Sequence, residues 1–203
     1  MKKTLTVLLA LVLVIAMSVA GTMAYLTSTD SVENTFTVGK VAITLDEADV
    51  NEYGQKVKAD GSVAGPTDTL ADRVDKNEYK LIPGHEYVKD PVIHFQPESE
   101  ASYLFVKLEN GIKDIVAATT IEDQITSTAK GWTLLADNVY YKSVPANESK
   151  TDVVDYSVFD SFKLTSDAKV ADYNGKTIKV TPYAVQADGF SDAAEAWSKT
   201  FGA

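Results

Sequence analysis

The run SYLFVKLEN, residues 102–110, most constrains what this chain can fold into. In an extended chain Leu104, Val106 and Leu108 point one way and Tyr103, Phe105 and Lys107 the other, and Asn110-Gly111 closes the run as a turn signal. Similar short runs recur. VAITL, residues 41–45, alternates Val41, Ile43 and Leu45 with Ala42 and Thr44. GWTLLADNVYYKSV reads as a hairpin turning at Asp137-Asn138, and SVFDSFKLTS as one further strand. KTIKVTPYAVQA follows the Asn174-Gly175 turn signal. In YKLIPGHEYVKDPVIHF, Pro83-Gly84 marks a turn, and Pro91 predicts a strand that is at an edge or begins there. Residues 51–79 are polar and turn-rich, which predicts a long loop or a pair of weak strands.

Two segments break the β pattern. TTIEDQITSTAKG places Ile121 and Ile125 one helical turn apart. SDAAEAWSKTF places Ala193, Trp197 and Phe201 at the same spacing, with Ser191 or Asp192 available as a cap, and its apolar stripe is expected to pack on the sheets. Seven or more short strands with turns between them predict a mainly β fold, an antiparallel β-sandwich of jelly-roll type with one or two short helices.

The first 24 residues read differently. Lys2 and Lys3 precede an apolar run over residues 5–20, and Thr22-Met23-Ala24 puts small residues where a signal peptidase needs them. The run is short for a membrane span. The expected organisation is a signal peptide, residues 1–24, cut between Ala24 and Tyr25, then one sandwich domain, residues 25–203; the alternative is an uncleaved anchor helix. Removing Lys2 and Lys3 and no acids takes the formal charge from −10 to −12. Such an acidic chain argues against nucleic acid and against anionic lipid, so contact with membrane is expected only through the uncleaved signal. With no cysteine, disulfides, thiol nucleophiles and Cys-ligated metals are excluded, and the fold must rely on its core. To Phe201-Gly202-Ala203 the sequence shows no second apolar span and no sorting-type tail, so retention at a cell surface is expected to need assembly or a partner protein.

GTMAYLTSTDSVENTFTVGKVAITL, residues 21–45, resembles the start of the TasA/camelysin family of secreted Gram-positive proteins processed by the signal peptidase SipW. The shared features are Gly21, Thr22 and Ala24, the aromatic Tyr25, the polar stretch Ser28 to Asp30, then Asn34, Thr35, Phe36 and Gly39. NEYKLIPGHEYVKDPVI, ASYLFVKLEN and YAVQADGFSDAAEAW look like segments of other SipW-type secreted proteins. The resemblance implies a jelly-roll sandwich, export through a SipW-type peptidase, and assembly into extracellular or biofilm matrix fibres by self-assembly or with a matrix partner. In fibre formers of that family the first mature segment completes the sheet of the next subunit. Residues 25–38 suit such a donor strand, being free of glycine and proline and carrying the anchors Tyr25, Leu26, Val32, Phe36 and Val38. Pairing within its own domain is the other reading.

The same resemblance raises a camelysin-like metallopeptidase. Zinc proteases place two histidines one turn apart in H-E-x-x-H. Here His85-Glu86 is followed by Lys89 where the second histidine belongs, and the only other histidine, His94, sits in an expected strand. Glu86 or Asp90 beside the histidines gives no recognised spacing, so no catalytic residue is assigned and the chain is not expected to be an enzyme. There is neither a Gly-rich phosphate loop nor a G-x-S-x-G elbow. With 29 acidic residues, pairs such as Asp46-Glu47 or Glu98 with Glu100 arise by chance. No cofactor or metal is expected; the weak candidates for calcium are the oxygens of Asp72, Asp75, Asn77 and Glu78, which lie close in sequence without following a D-x-D-x-D-G loop. The aromatics Trp132, Tyr140, Tyr141 and Trp197 are expected in the core or in cross-strand pairs. A monomeric surface adhesin or binding module is the third functional reading.

Overall fold

A computed structural model describes residues 39–202; the signal segment, the bond between Ala24 and Tyr25, and the donor anchors Tyr25, Leu26, Val32, Phe36 and Val38 lie outside the described residues. The chain is mainly β, as its alternation predicts. Its strands are β1 (Ile43–Asp46), β2 (Glu86–Val88), β3 (Val92–Phe95), β4 (Ser102–Asn110), β5 (Thr133–Ala136), β6 (Val139–Val144), β7 (Val154–Ser157), β8 (Ser161–Lys163) and β9 (Ile178–Gln186). The helices are α1 (Ile121–Ile125) and α2 (Ala193–Thr200), with 3-10 turns at Lys113–Ile115 and Val170–Tyr173.

All the sheets are antiparallel. One has the order β1-β3-β7, a second pairs β2 with β8, and the third runs β5-β6-β4-β9. Ile93 and Phe95 of β3 and Leu104, Val106 and Leu108 of β4 are at most 1% exposed and meet in one core with Tyr87, Phe162 and Ile121. The sheets thus pack face to face as a sandwich. The opposite face of β4 turns Phe105 into a second apolar cluster with Ala193, Ala196, Trp197 and Phe201 of the C-terminal segment. The expected stripe of α2 therefore lies on the sheet, and Asp192 caps it by accepting from the Glu195 N–H at 2.8 Å. Thr120 and Asp123 form the reciprocal cap that starts α1. Trp132 and Tyr140 are buried in the main core.

One strand expectation needs correction. The segment SVFDSFKLTS is not one strand: Ser157 ends β7, residues 158–160 are a link, and β8 covers Ser161–Lys163. β7 pairs with β3, whereas β8 pairs with β2. Val158 and Phe159 between them are both fully buried, so the alternation is broken where the chain passes from one sheet to the other. Residues 51–79 form a loop with isolated bridges such as Val50–Lys56 and Val57–Val63.

Candidate functional site

The outer edge of β1 carries backbone groups that the sheet leaves unpaired. Gln96 N–H donates to the Ala42 carbonyl at 3.0 Å, which makes Ala42 and Gln96 a hydrogen-bonded pair. The antiparallel alternation then turns the N–H and C=O of Ile43 and Leu45 away from β3. Glu47, next in the same parity, has both outward groups paired with Val74, at 2.9 and 2.8 Å. Among the described residues, the outward groups of Ile43 and Leu45 have no hydrogen-bond partner. The neighbouring edge, β9, is built differently. Gly111 N–H donates to the Thr177 carbonyl and Ala187 N–H to the Ala101 carbonyl. Even-numbered residues of β9 therefore face outward, and Pro182 sits among them, where its missing N–H removes no ladder bond and blunts the edge.

Beside β1 and the start of β9 runs a groove of about 990 Å³. Leu45 and Glu47 line one side, Ile178 and Val180 the other, Tyr79 and Leu81 come from the loop, and Ile112 and Phe162 are also in its lining. Three polar residues in that lining are knitted together. Lys89 Nζ donates to Glu47 Oε2, and Asn77 Nδ2 donates to Glu47 Oε1 at 3.0 Å and to the Ala48 carbonyl at 2.9 Å. Asn77 Oδ1 accepts from the Val50 N–H at 3.0 Å. Burial first, and then the neighbouring carboxylates of Glu47 and Asp90, push the Tyr79 hydroxyl far above its ordinary pKa.

On the outer face of the same sheet a charge cluster crosses β1, β3 and β7. His94 Nδ1 is 2.6 Å from Asp155 Oδ1, its register partner, and Nε2 is 2.9 Å from Asp46 Oδ2. Arg73 Nε donates to Asp46, and its Nη2 donates to the Asp90 carbonyl at 2.8 Å. Asp90 also accepts from Lys56 Nζ at 2.8 Å and from the Ala48 N–H at 2.7 Å. Partial burial opposes a charged imidazole, but Asp46 and Asp155 outweigh it and raise the pKa of His94 above the ordinary histidine value. Burial likewise opposes ionised Asp46, and Arg73 and His94 reverse the balance and lower its pKa.

The sequence-predicted ligands are distributed as follows. Asp72, Asp75 and Glu78 are exposed, and Glu78 lies 4.0 Å from Lys76. Asn77 spends its carbonyl and both amide contacts inside the protein. Among the described residues no group of three His, Cys, Asp or Glu side chains is placed to hold a metal ion. His85 precedes β2, with Nε2 2.9 Å from the Tyr53 carbonyl and its ring edge-on to Tyr87. Glu86 begins that strand and accepts from the Ser161 hydroxyl at 3.1 Å. HEYVK is therefore turn and strand, not helix, and its Lys89 belongs to Glu47. Sequence reasoning missed Glu47, Lys89 and Arg73 as partners. A usable signal was Arg73, the sole arginine of the chain, in a segment otherwise rich in acids.

No protein-family model matches this sequence, and neither the comparison with curated proteins nor that with solved structures finds a similar protein.

Proposed function

We propose that this protein is an exported structural subunit of an extracellular matrix or cell surface, released by a SipW-type peptidase and assembled by strand addition at the β1 edge. The observation that carries the reading is that edge: two outward backbone positions, Ile43 and Leu45, without a partner among the described residues, beside a groove whose lining includes Leu45, Tyr79, Leu81, Ile178 and Val180. An added strand satisfies the backbone groups, and its alternate side chains enter the groove. Residues 25–38 supply a strand of the right character, with Tyr25, Leu26, Val32, Phe36 and Val38 as apolar anchors. In an assembly this segment of one copy serves the edge of the next. Acidic surfaces keep the subunits soluble until that contact forms. The resemblance of residues 21–45 to the TasA/camelysin family supports the same assignment.

The test compares two purified forms by light scattering and negative-stain microscopy, one starting at Tyr25 and one at Gly39. Filaments from the longer form alone, with a peptide of residues 25–38 binding the shorter form as a cap, are the expected result. Two forms that remain monomeric across concentration, pH and calcium reject self-assembly and favour a monomeric binding module.

A further inference from the structure

Glu47, Asn77 and Lys89 reach one point from three separate segments, the end of β1, the long loop and the turn into β3. Glu47 is 4% exposed, and the side chain of Lys89 is 11% exposed. A buried ion pair contributes little net stability over apolar residues of the same shape. What this arrangement does supply is chemistry. One carboxylate holds an amine on one oxygen and a primary amide on the other, and the amide oxygen is polarised by a backbone donor, Val50 N–H. Tyr79 lines the same groove, its hydroxyl donating to the Val88 carbonyl at 3.0 Å and its ring edge-on to Tyr87 and Phe162.

We propose that Lys89 and Asn77 join through an intramolecular amide bond, with Glu47 as the proton carrier. Lys89 passes a proton to Glu47, and the freed Nζ lone pair attacks Cγ of Asn77. The carbonyl electron pair moves to Oδ1, where the Val50 N–H stabilises it. Glu47 protonates Nδ2, the carbonyl re-forms, and the Cγ–Nδ2 bond breaks. Ammonia departs and Glu47 takes the remaining proton from Nζ. Of the two protons Lys89 gives up, one completes the ammonia and the other leaves with it as ammonium. The Nζ–Cγ bond replaces the Cγ–Nδ2 bond, nothing is oxidised or reduced, and no co-reactant is required. Glu47 holds the amine on one oxygen and the amide on the other, which raises the effective concentration of each for the other, and the groove that they line gives ammonia a way out. The product ties the long loop to the base of β3, a covalent closure in a chain without cysteine.

Intact-mass measurement of the exported chain, fresh and after incubation at neutral pH, tests this. The expected mass is one ammonia below that of the sequence. Trypsin then leaves the bond after Lys89 uncut and yields a branched peptide containing residues 77 and 89. The loss disappears in Lys89→Arg, which keeps a cation for Glu47, and in Asn77→Ala, and is abolished or greatly slowed in Glu47→Gln; circular dichroism reports whether each variant is folded. A succinimide at Asn110 or Asn174, each followed by glycine, also loses ammonia, but hydroxylamine opens it and leaves the Lys89–Asn77 amide intact. Folded wild-type protein at full sequence mass overturns the proposal, as does an ammonia loss mapping to Asn110 or Asn174 alone.

Discussion

His94 shows how one side chain couples three strands. Its ring sits on β3 between Asp155 of β7 and Asp46 of β1, and Arg73 shares Asp46 from the loop. Because the folded pKa is raised, the stabilisation is complete below the unfolded histidine value of about 6.5 and is lost as pH rises through the folded value. Asp46, whose pKa is lowered, adds stability above the unfolded carboxylate range and loses it as pH falls through its folded value. Asp155 is largely exposed, so the net effect is small, about 1 kcal/mol or less. His94→Gln should therefore destabilise the domain more at mildly acidic than at mildly alkaline pH, as urea melts at the two conditions will show; an equal loss at both would count against charge as the cause.

At the scale of elements, the two edges beside the groove behave oppositely because of single residues. Pro182 denies β9 an outward N–H, whereas the outward groups of Ile43 and Leu45 in β1 have no partner among the described residues. Pro182→Val restores that donor on an exposed edge and is expected to raise self-association of the form starting at Gly39, with a larger sedimentation coefficient as the readout. An unchanged coefficient would show that the proline is tolerated rather than protective. The strand β4 was legible because Leu104, Val106 and Leu108 keep one face of it apolar and buried, although Phe105 on the other face is buried as well. The expected strand SVFDSFKLTS ran from the end of β7 through β8, and β7 up to Tyr156 was not expected, because consecutive apolar residues, Val158 and Phe159, look the same in sequence whether a strand continues or changes sheets. The helix α2 was legible from spacing and cap together, and both features fall within one short segment.

For the whole molecule, legibility follows sequence distance. The sandwich could be read from local runs, each of which carries its own period. The groove could not, since Glu47 meets Asn77 thirty positions on and Lys89 forty-two on, with no motif to announce either contact. Asp46 and Glu47, which looked like a chance acidic pair, serve opposite faces, one on the charge cluster and the other in the groove. The two long sides of the sandwich are also finished differently. Away from the groove, Trp132 Nε1 donates to the outward Ser157 carbonyl of β7 at 3.0 Å, and Lys130 Nζ donates to the Ser157 hydroxyl at 2.7 Å. That side is stitched across, like the spine of a book, and the groove is its fore-edge. Thermal breathing should then swing the covers about the spine, and the amides of Ile43 and Leu45 should exchange with deuterium well before that of Tyr156. A fold bound along one margin is expected to open first at the other.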